Sequence, residues 1–292
     1  MIERPALQRP YWIGAFTGWA DAQEAATEAV RYLVRQLGAK KFAEIDAEGF
    51  YDFTAVRPIA FFDDAGVRRI RWPVNSFYYW VSQSGEKEVV FFVGTEPSLQ
   101  WRTYTGLLLS AVAPYRMRTM MTLGALNDAL PHTRGAKVTG SANRPDLDVT
   151  LEGMRVGPSR YAGPVGISSV FLESCTQAEL PHLSLWAHAP HYVQRSPNYT
   201  VAKALVERLN SLLGLSVPLA ELEAKSKEFE AEVTGQVSKS VEASAYVKKL
   251  ERLYDDATAQ RRSQELPTGE SAVRDVEEFL RRGEDGGRPG GN

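Results

Sequence analysis

The sequence predicts an α/β fold, in which a mixed, mostly parallel sheet is covered by helices on both faces and is followed by a C-terminal helical extension. Three observations support this prediction. Short apolar runs of strand length alternate with amphipathic segments of helical period. The strand-like runs are almost continuously apolar, which is typical of strands that are buried on both faces. From about Pro218 the composition becomes rich in Glu, Lys and Ala, which marks a separate helical region.

The bulk composition restricts the class of protein and its partners. The 292 residues can bury a full core in one large domain or two, and 43% hydrophobic with 24% charged residues is typical of a globular protein. The net charge of −2 provides no basic field, so neither a nucleic acid nor a membrane partner is expected. Cys175 is the only cysteine, which excludes an internal disulfide and a multi-cysteine metal site. The N-terminus lacks the apolar segment of a signal peptide, so a cytoplasmic location is expected.

The first elements are a strand and a helix. Residues 11–16 (YWIGAF) predict a short buried strand. Asp21 precedes a run of apolar residues at helical period that stops before Gly38, and Glu24 follows Asp21 at the spacing of a capping box. Residues 41–46 (KFAEID) then predict a second strand.

The next segments predict a hairpin, a strand and a helix. Residues 58–62 and 67–72 are joined by a DDAG turn and predict the hairpin. Residues 88–93 predict a buried strand, which Gly94 ends. Pro97 is expected to begin the helix that runs to about Val112, because proline at the first helical position needs no N–H group. Glu96 is then expected to interact with the first-turn N–H groups of that helix.

The second half of the α/β region is less regular. Residues 118–123 and 183–187 predict strands, and residues 166–178 and 200–213 predict helices. Residues 127–164 are polar and contain Gly and Pro, with one weak strand pattern at residues 149–151. We therefore expect a long irregular connection there.

The sequence divides into an α/β domain (residues 1–218), a helical extension (219–282) and a disordered tail (283–292). The extension carries a narrow apolar stripe that Gly235 interrupts, and it predicts a long helix or a helix pair that needs a surface to pack on. We expect that surface to lie on the α/β domain or on a neighbouring subunit. A second short helix is predicted at residues 272–281, before the polar tail.

Candidate ligand-binding residues follow the predicted strands, because ligands of open parallel sheets bind beyond the carboxyl ends of the strands. The strand ends contribute carboxylates, imidazoles and aromatic rings. The candidates are Trp19, Asp21, Glu48, Gly94, Thr95, Glu96, Trp101, Asn127, His188 and His191. An open pocket at the strand ends, in which His188, Glu96 and Asp21 converge, would favour an enzyme. If Trp19 and Trp101 fill that pocket instead, a scaffold is favoured.

Structural roles also explain several of these residues. Asp21 is expected to cap a helix, and Glu96 is expected to interact favourably with a helix dipole. His188 and His191 flank Pro190 and show no recognised metal-ligand spacing, so no metal site is expected. Cys175 is expected to pack as a small hydrophobic residue. Since no phosphate-binding or dinucleotide-binding motif is present, we assign no cofactor and no catalytic residue.

Six segments, in order, resemble the proteasome assembly chaperone family in its actinobacterial and archaeal form. They are GWADAQEAATEAVRYL (18–33), IDAEGFYDFTAVRP (45–58), GTEPSLQW (94–101), LGALNDALPHTRG (123–135), YAGPVGISSVFLESC (161–175) and LWAHAPHYVQRSPN (185–198). The resemblance covers about residues 12–222 and implies a sandwich similar to the purine nucleoside phosphorylase and hydrolase-like folds. It also implies a role in proteasome assembly. Some archaeal members bind proteasomes through a C-terminal hydrophobic-Tyr-any motif. This sequence ends in PGGN, so docking to the proteasome through such a tail is not expected.

Three functions remain open at this point. The preferred hypothesis is a non-enzymatic protein-interaction or chaperone-like scaffold. The alternatives are a small-ligand-binding protein or enzyme that uses the strand ends, and a proteasome assembly factor by family analogy. Self-association as a trimer or a dimer is expected, because a dense aromatic set is more often buried in an interface than left in water. That set is Trp72, Phe77, Tyr78, Tyr79 and Trp80.

Overall fold

The computed structural model describes residues 2–154, 156–159 and 161–265, and it contains one eight-stranded sheet, a separate two-stranded hairpin and seven α-helices within those residues. The strands are β1 Tyr11–Thr17, β2 Lys40–Glu44, β3 Ile59–Phe62, β4 Arg68–Arg71, β5 Asn75–Val81, β6 Glu88–Thr95, β7 Met120–Asp128, β8 Val138–Ala142, β9 Gly157–Pro158 and β10 His182–Pro190. The helices are α1 Ala25–Leu37, α2 Trp101–Val112, α3 Pro145–Gly153, α4 Ile167–Gln177, α5 Tyr199–Leu213, α6 Ala220–Val237 and α7 Val241–Glu265.

The sheet has the order β2-β5-β6-β1-β7-β10-β8-β9. Strands β2, β6, β1, β7 and β10 run parallel to one another, and β5 runs antiparallel to both of its neighbours. Strand β8 runs antiparallel to β10 and parallel to the short β9. This arrangement confirms the predicted mixed, mostly parallel sheet. The carboxyl ends of the parallel strands lie at one edge, where ligands of such sheets bind.

Alternate residues of the central strands supply two hydrophobic layers. Helices α1 and α5 cover one face, where Ile13, Phe91 and Leu185 are buried. Helices α2 and α4 cover the other face, where Trp12, Phe92 and further aromatic rings are packed together. The predicted covering of both faces by helices is therefore confirmed.

The start of α1 differs from the predicted capping box. A 3₁₀ turn, Ala22–Glu24, precedes the helix, and Glu24 adopts a left-handed conformation with φ of 52°. The Asp21 N–H donates to the Gly18 carbonyl at 3.2 Å, in place of the bond to the Glu24 side chain that a capping box requires. Asp21 caps the helix alone. Its carboxylate accepts the N–H groups of Ala26 (2.7 Å) and Thr27 (3.3 Å) and the Thr27 hydroxyl (2.5 Å). At the other end Gly38 is left-handed, as its predicted role requires.

The start of α2 also differs from the prediction. The helix begins at Trp101 after a left-handed Gln100, so Pro97 is not its first residue. The N–H groups of Ser98 and Leu99 donate to the carbonyl of Phe50 at 2.8 and 3.0 Å. Pairing with this neighbouring loop holds residues 97–100 out of the helix.

The irregular connection predicted for residues 127–164 is wrong. It contains β8, which pairs antiparallel with β10, and α3, which includes the predicted weak strand at residues 149–151. Pro145 at the helix start and the first-turn acids Asp146 and Asp148 are the helix signals that outweigh the β-branched residues there.

Strand β5 was not predicted, and it contains four of the five aromatic residues proposed for an interface. Phe77 is fully buried in its own chain beside Phe42, whereas Tyr78, Tyr79 and Trp80 are half-buried on alternating faces. Only Trp72, which precedes β5, is exposed. The five residues therefore do not form one exposed patch, because a strand sends successive side chains to opposite faces.

The extension packs on the α/β region through α6 and α7. Leu222 of α6 joins the core beneath α5, and Phe229 packs against Val193. Arg134 forms an ion pair with Asp255 of α7 at 2.9 Å. The predicted short helix at 272–281 and the tail at 283–292 lie outside the described residues. None of the helices that the structure describes is long and apolar enough to cross a membrane.

Candidate functional site

A cavity of about 680 Å³ opens between α4 and the sheet face formed by β7, β10 and β8, near the carboxyl ends of the parallel strands. We call it the hydroxyl cavity, because six of its described lining residues carry hydroxyl groups on serine or threonine. Its described lining residues are Gly18, Trp19, Ala22, Thr122, Leu126, Asn127, Ser141, Ser159, Tyr161, Val165, Ser168, Ser169, Leu172, Ser184 and Trp186.

The sheet side of the hydroxyl cavity is polar. Ser141 and Ser184 face each other across the β8–β10 pair with their oxygens 2.9 Å apart. Thr122 of β7 lies 3.3 Å from Nε2 of His182. Burial lowers the pKa of His182 to about 3, so its imidazole is neutral. This side of the cavity thus offers neutral hydrogen-bonding groups.

Beside the cavity, Glu96 joins the loop after β1 to the start of α4. Its carboxylate accepts the N–H of Ile167 at 2.8 Å and the N–H of Trp19 at 3.1 Å. We call this arrangement the Glu96 clasp. It requires glycine at two positions: Gly18 has φ of +123°, and a Cβ atom on Gly166 would lie 2.8 Å from Oε1 of Glu96. Glu96 therefore caps α4. The sequence had predicted that it would interact with the start of α2, the helix that follows it in the chain.

The structure brings together three of the predicted ligand-binding residues at this edge. Trp19 and Asn127 line the hydroxyl cavity, and Glu96 binds the backbone of Trp19. Gly94 and Thr95 lie within β6, so the prediction that Gly94 ends the strand is wrong. The Thr95 carbonyl accepts the Tyr51 hydroxyl at 2.7 Å.

Three other predicted ligand-binding residues lie elsewhere. Asp21 is buried at the start of α1, where burial raises its pKa to about 6. Trp101 packs on the aromatic face of the sheet and donates from Nε1 to the Pro97 carbonyl at 2.6 Å. Glu48 lines a separate crevice with Trp72.

The two predicted histidines are also separated from the hydroxyl cavity. His188 is buried, with Nδ1 2.7 Å from Asp128 and Nε2 2.9 Å from the Thr139 hydroxyl. Burial acts to raise the pKa of Asp128, but the hydrogen bonds with His188 and the Ala129 N–H outweigh it and lower the pKa. Thr139, His188 and Asp128 thus resemble the nucleophile, base and acid of a catalytic triad. However, His188 lines a cavity of only about 10 Å³, which is too small for a substrate.

His191 belongs to the contact with the extension. It is exposed, and its ring packs edge-on against Tyr192 and against Tyr246 of α7. Pro190 and the chain turn that follows place His191 beyond the end of β10, whereas His188 lies within it. His188 therefore contacts the strands of the sheet, whereas His191 contacts the helical extension.

Metal and thiol chemistry find no support in the described residues. No group of three or more His, Cys, Asp or Glu in the described ranges is placed to hold a metal ion. Cys175 is buried on α4, and burial raises the pKa of its thiol to about 12. A thiol with so high a pKa is protonated at neutral pH and does not act as a nucleophile.

Apart from Asn127, the cavity residues on the sheet were missed by sequence reasoning. A signal was present: in HLSLWAH of β10, Ser184 and Trp186 alternate with Leu183 and Leu185. Such alternation indicates that one face of the strand is not a closed apolar core. Ser168 and Ser169 in the first turn of α4 could not be connected to that face from the sequence, because the contact depends on tertiary packing.

Comparison with known proteins identifies similar chains. The model of the PAC2 family matches residues 15–237, which run from β1 to the last residue of α6. A PAC2 family protein from Streptomyces avermitilis is 37% identical, with 82% of this chain and 99% of that chain covered and a TM-score of 0.74. A proteasome-assembly chaperone homologue from Mycobacterium tuberculosis is 35% identical, with 81% of this chain and 99% of that chain covered and a TM-score of 0.72.

More distant chains share the fold. PbaB from Pyrococcus furiosus, described as an archaeal proteasome activator, is 22% identical, with 81% of this chain and 96% of that chain covered and a TM-score of 0.66. At this identity the likeness shows the fold alone. No curated protein matches the sequence.

Proposed function

This chain belongs to the PAC2 family, and on that premise we propose that it is a non-enzymatic, chaperone-like interaction protein that associates with copies of itself. The observation that carries the proposal is the exposed apolar face of the β3–β4 hairpin. A cytoplasmic location, expected from the single cysteine, is part of the same proposal.

The hairpin, which we call the hairpin arm (residues 59–71), lies outside the main sheet. Its register places Ala60 opposite Ile70 and Phe62 opposite Arg68, so these four residues share one face. Phe62 is 71% exposed and Ile70 is 56% exposed. On the other face the guanidinium of Arg71 covers the Phe61 ring at 4.7 Å. This face is covered only in part, because Ile59 is 61% exposed there. Both faces of the hairpin arm therefore present large apolar groups to solvent, which is typical of a protein-interaction site.

A second copy of the chain offers a complementary surface. A crevice of about 430 Å³ lies between the base of the hairpin arm and β2, and we call it the acidic crevice. It is lined by Glu44, Asp46 and Glu48 and by the exposed Trp72 and Val74. Lys41 also lines it and pairs with Glu44, which leaves Asp46 and Glu48 as its acidic groups. The hairpin arm combines apolar residues with three arginines. Insertion of one copy's arm beside the next copy's crevice would pair opposite charges and bury apolar surface, and such contacts form a ring where the rotation between copies closes.

The test is the mass of the intact chain in solution. We expect an oligomer for the native chain and a monomer for the double variant Phe62→Ser, Ile70→Ser, with an unchanged circular dichroism spectrum. Val149→Ser is the matched control, because Val149 is 67% exposed on α3, away from the hairpin arm. An unchanged mass in the double variant would contradict the role given to the hairpin arm.

Proteasome assembly is the more specific candidate. It is supported by the 35% identity to a protein described as a proteasome-assembly chaperone homologue. The corresponding experiment is co-expression with the proteasome α-subunits of the same organism, followed by native electrophoresis. Faster appearance of α-subunit rings, lost in the hairpin variant but not in Val149→Ser, supports this role. Identical assembly with and without the chain would rule it out, while the mass measurement would still decide on self-association.

A further inference from the structure

We infer that the hydroxyl cavity binds a small, uncharged ring compound that carries hydroxyl groups, of the glycoside or nucleoside class. This inference goes beyond the interaction role of the hairpin arm, which involves different residues. It rests on the volume of the cavity, on the aromatic and hydroxyl groups that line it, and on the charge beside it.

The volume and the aromatic groups suit a molecule with one or two rings. A volume of about 680 Å³ lies within the range of sites that bind small molecules and cofactors. Trp19 at the mouth is 62% exposed, although its backbone is fixed by the Glu96 clasp. Trp186 lines the sheet side of the cavity and is half-buried. Indole faces at two positions can pack on the flat face of a base or on the apolar face of a sugar ring.

The hydroxyl groups supply neutral hydrogen bonds. Ser168 is only 4% exposed, yet its Oγ has no hydrogen-bond partner within the described part of the chain. A buried hydroxyl without a partner is costly, so its presence beside a cavity indicates that something else satisfies it. Ser141, Ser184 and Thr122 keep hydroxyl oxygens along the sheet side. A hydroxyl can both donate and accept, which matches the hydroxyl groups of a sugar.

The Glu96 clasp decides against an anionic ligand. The N-terminus of a helix ordinarily attracts a phosphate, because its first N–H groups are free. Here the Glu96 carboxylate already occupies the start of α4, with Oε1 on the Ile167 N–H. A phosphate would meet the negative charge of Glu96, and the Ile167 N–H is already bonded. The carboxylate beside the cavity therefore favours an uncharged ligand over an anion.

The experiment measures binding of four defined probes to the full chain by titration calorimetry. The uncharged probes are adenosine and glucose, and the anionic counterparts are AMP and glucose 6-phosphate. We expect saturable binding of at least one uncharged probe and a Kd at least ~10-fold weaker for its phosphate. The two uncharged probes distinguish a nucleoside site from a sugar site.

Two variants and a control test the residues. Ser168→Ala should weaken binding of the uncharged probe by up to ~10-fold without lowering the melting temperature, because the hydroxyl has no partner in the protein. Glu96→Gln should reduce the discrimination against the phosphate. Ser174→Ala is the control, since Ser174 on the same helix bonds to Thr105 and lies outside the cavity lining. Its Kd should equal that of the native chain.

The inference is overturned by any of three results. These are the failure of both uncharged probes to bind at millimolar concentration, equal or tighter binding of the phosphates, and an unchanged Kd in Ser168→Ala. None of these results bears on the mass of the chain, so the failure of this inference and the failure of the proposed interaction role are separable.

Discussion

Replacement of Asp21 by asparagine tests the electrostatics of the buried cap on α1. Burial raises the pKa of Asp21 from 3.8 to about 6. This rise in pKa corresponds to about 3 kcal/mol between the two protonation states. Because the folded-state pKa is raised, the stabilisation from this group is fully present below pH 3.8 and is lost as the pH rises through about 6. At neutral pH the native chain therefore carries a costly buried carboxylate.

Asp21→Asn should remove this cost and keep most of the cap. The amide oxygen can still accept the N–H groups of Ala26 and Thr27, and the amide NH₂ can donate to the Thr27 hydroxyl. We expect the variant to be more stable than the native chain by about 1–3 kcal/mol near pH 7.5, with the difference shrinking near pH 4.5. Urea unfolding at both pH values measures the difference, in which the contributions of other titrating groups cancel.

The control is Asp63→Asn in the turn of the hairpin arm. Hydrogen bonds from the Val67 N–H and from Arg69 lower the pKa of Asp63, the opposite direction to Asp21, so this variant should gain no stability at neutral pH. A loss of stability in Asp21→Asn near pH 7.5, or a difference from the native chain that is the same at both pH values, would refute the reasoning.

Three further predictions concern other buried groups. Glu96→Gln should lower the free energy of unfolding by about 1–3 kcal/mol in urea titrations, because an amide can accept only one of the two N–H groups that Glu96 holds; a change of a few tenths would contradict the clasp. Cys175 should react with iodoacetamide only after unfolding, since burial keeps its thiol protonated with a pKa of about 12; rapid labelling of the native chain, detected by mass spectrometry, would show otherwise. His182 stays neutral because burial lowers its pKa from 6.5 to about 3, so stability should fall as the pH drops below 6.5, and His182→Gln should flatten this fall in urea titrations; an equally steep fall in that variant would argue against it.

The sheet and its covering helices could be predicted because their signals are local. The apolar run of β1 and the period of α1, stopped by Gly38, depend on neighbours in the sequence. Strand β5 was missed because its aromatic residues face two different layers, so no single face shows a pattern. Helix α3 was missed because its polar, Pro-containing sequence resembles a loop until Pro145 is read as a helix start.

The candidate site was only partly predictable. The rule that ligands lie at strand ends identified Trp19, Glu96 and Asn127, which the structure places at one edge. It could not assign Glu96 to the start of α4, because that hydrogen bond joins residues 71 positions apart. The same rule could not show that the Ser168 hydroxyl has no hydrogen-bond partner in the described chain, because that depends on how the helices and strands pack.

The central claim, that this PAC2 family chain works by association through its hairpin arm, is tested most directly by sedimentation equilibrium of the intact protein at micromolar concentration. The account predicts a mass that is a small multiple of 32.4 kDa, a dimer or a trimer, and a return to 32.4 kDa in Phe62→Ser, Ile70→Ser. A native chain that sediments at 32.4 kDa would contradict it.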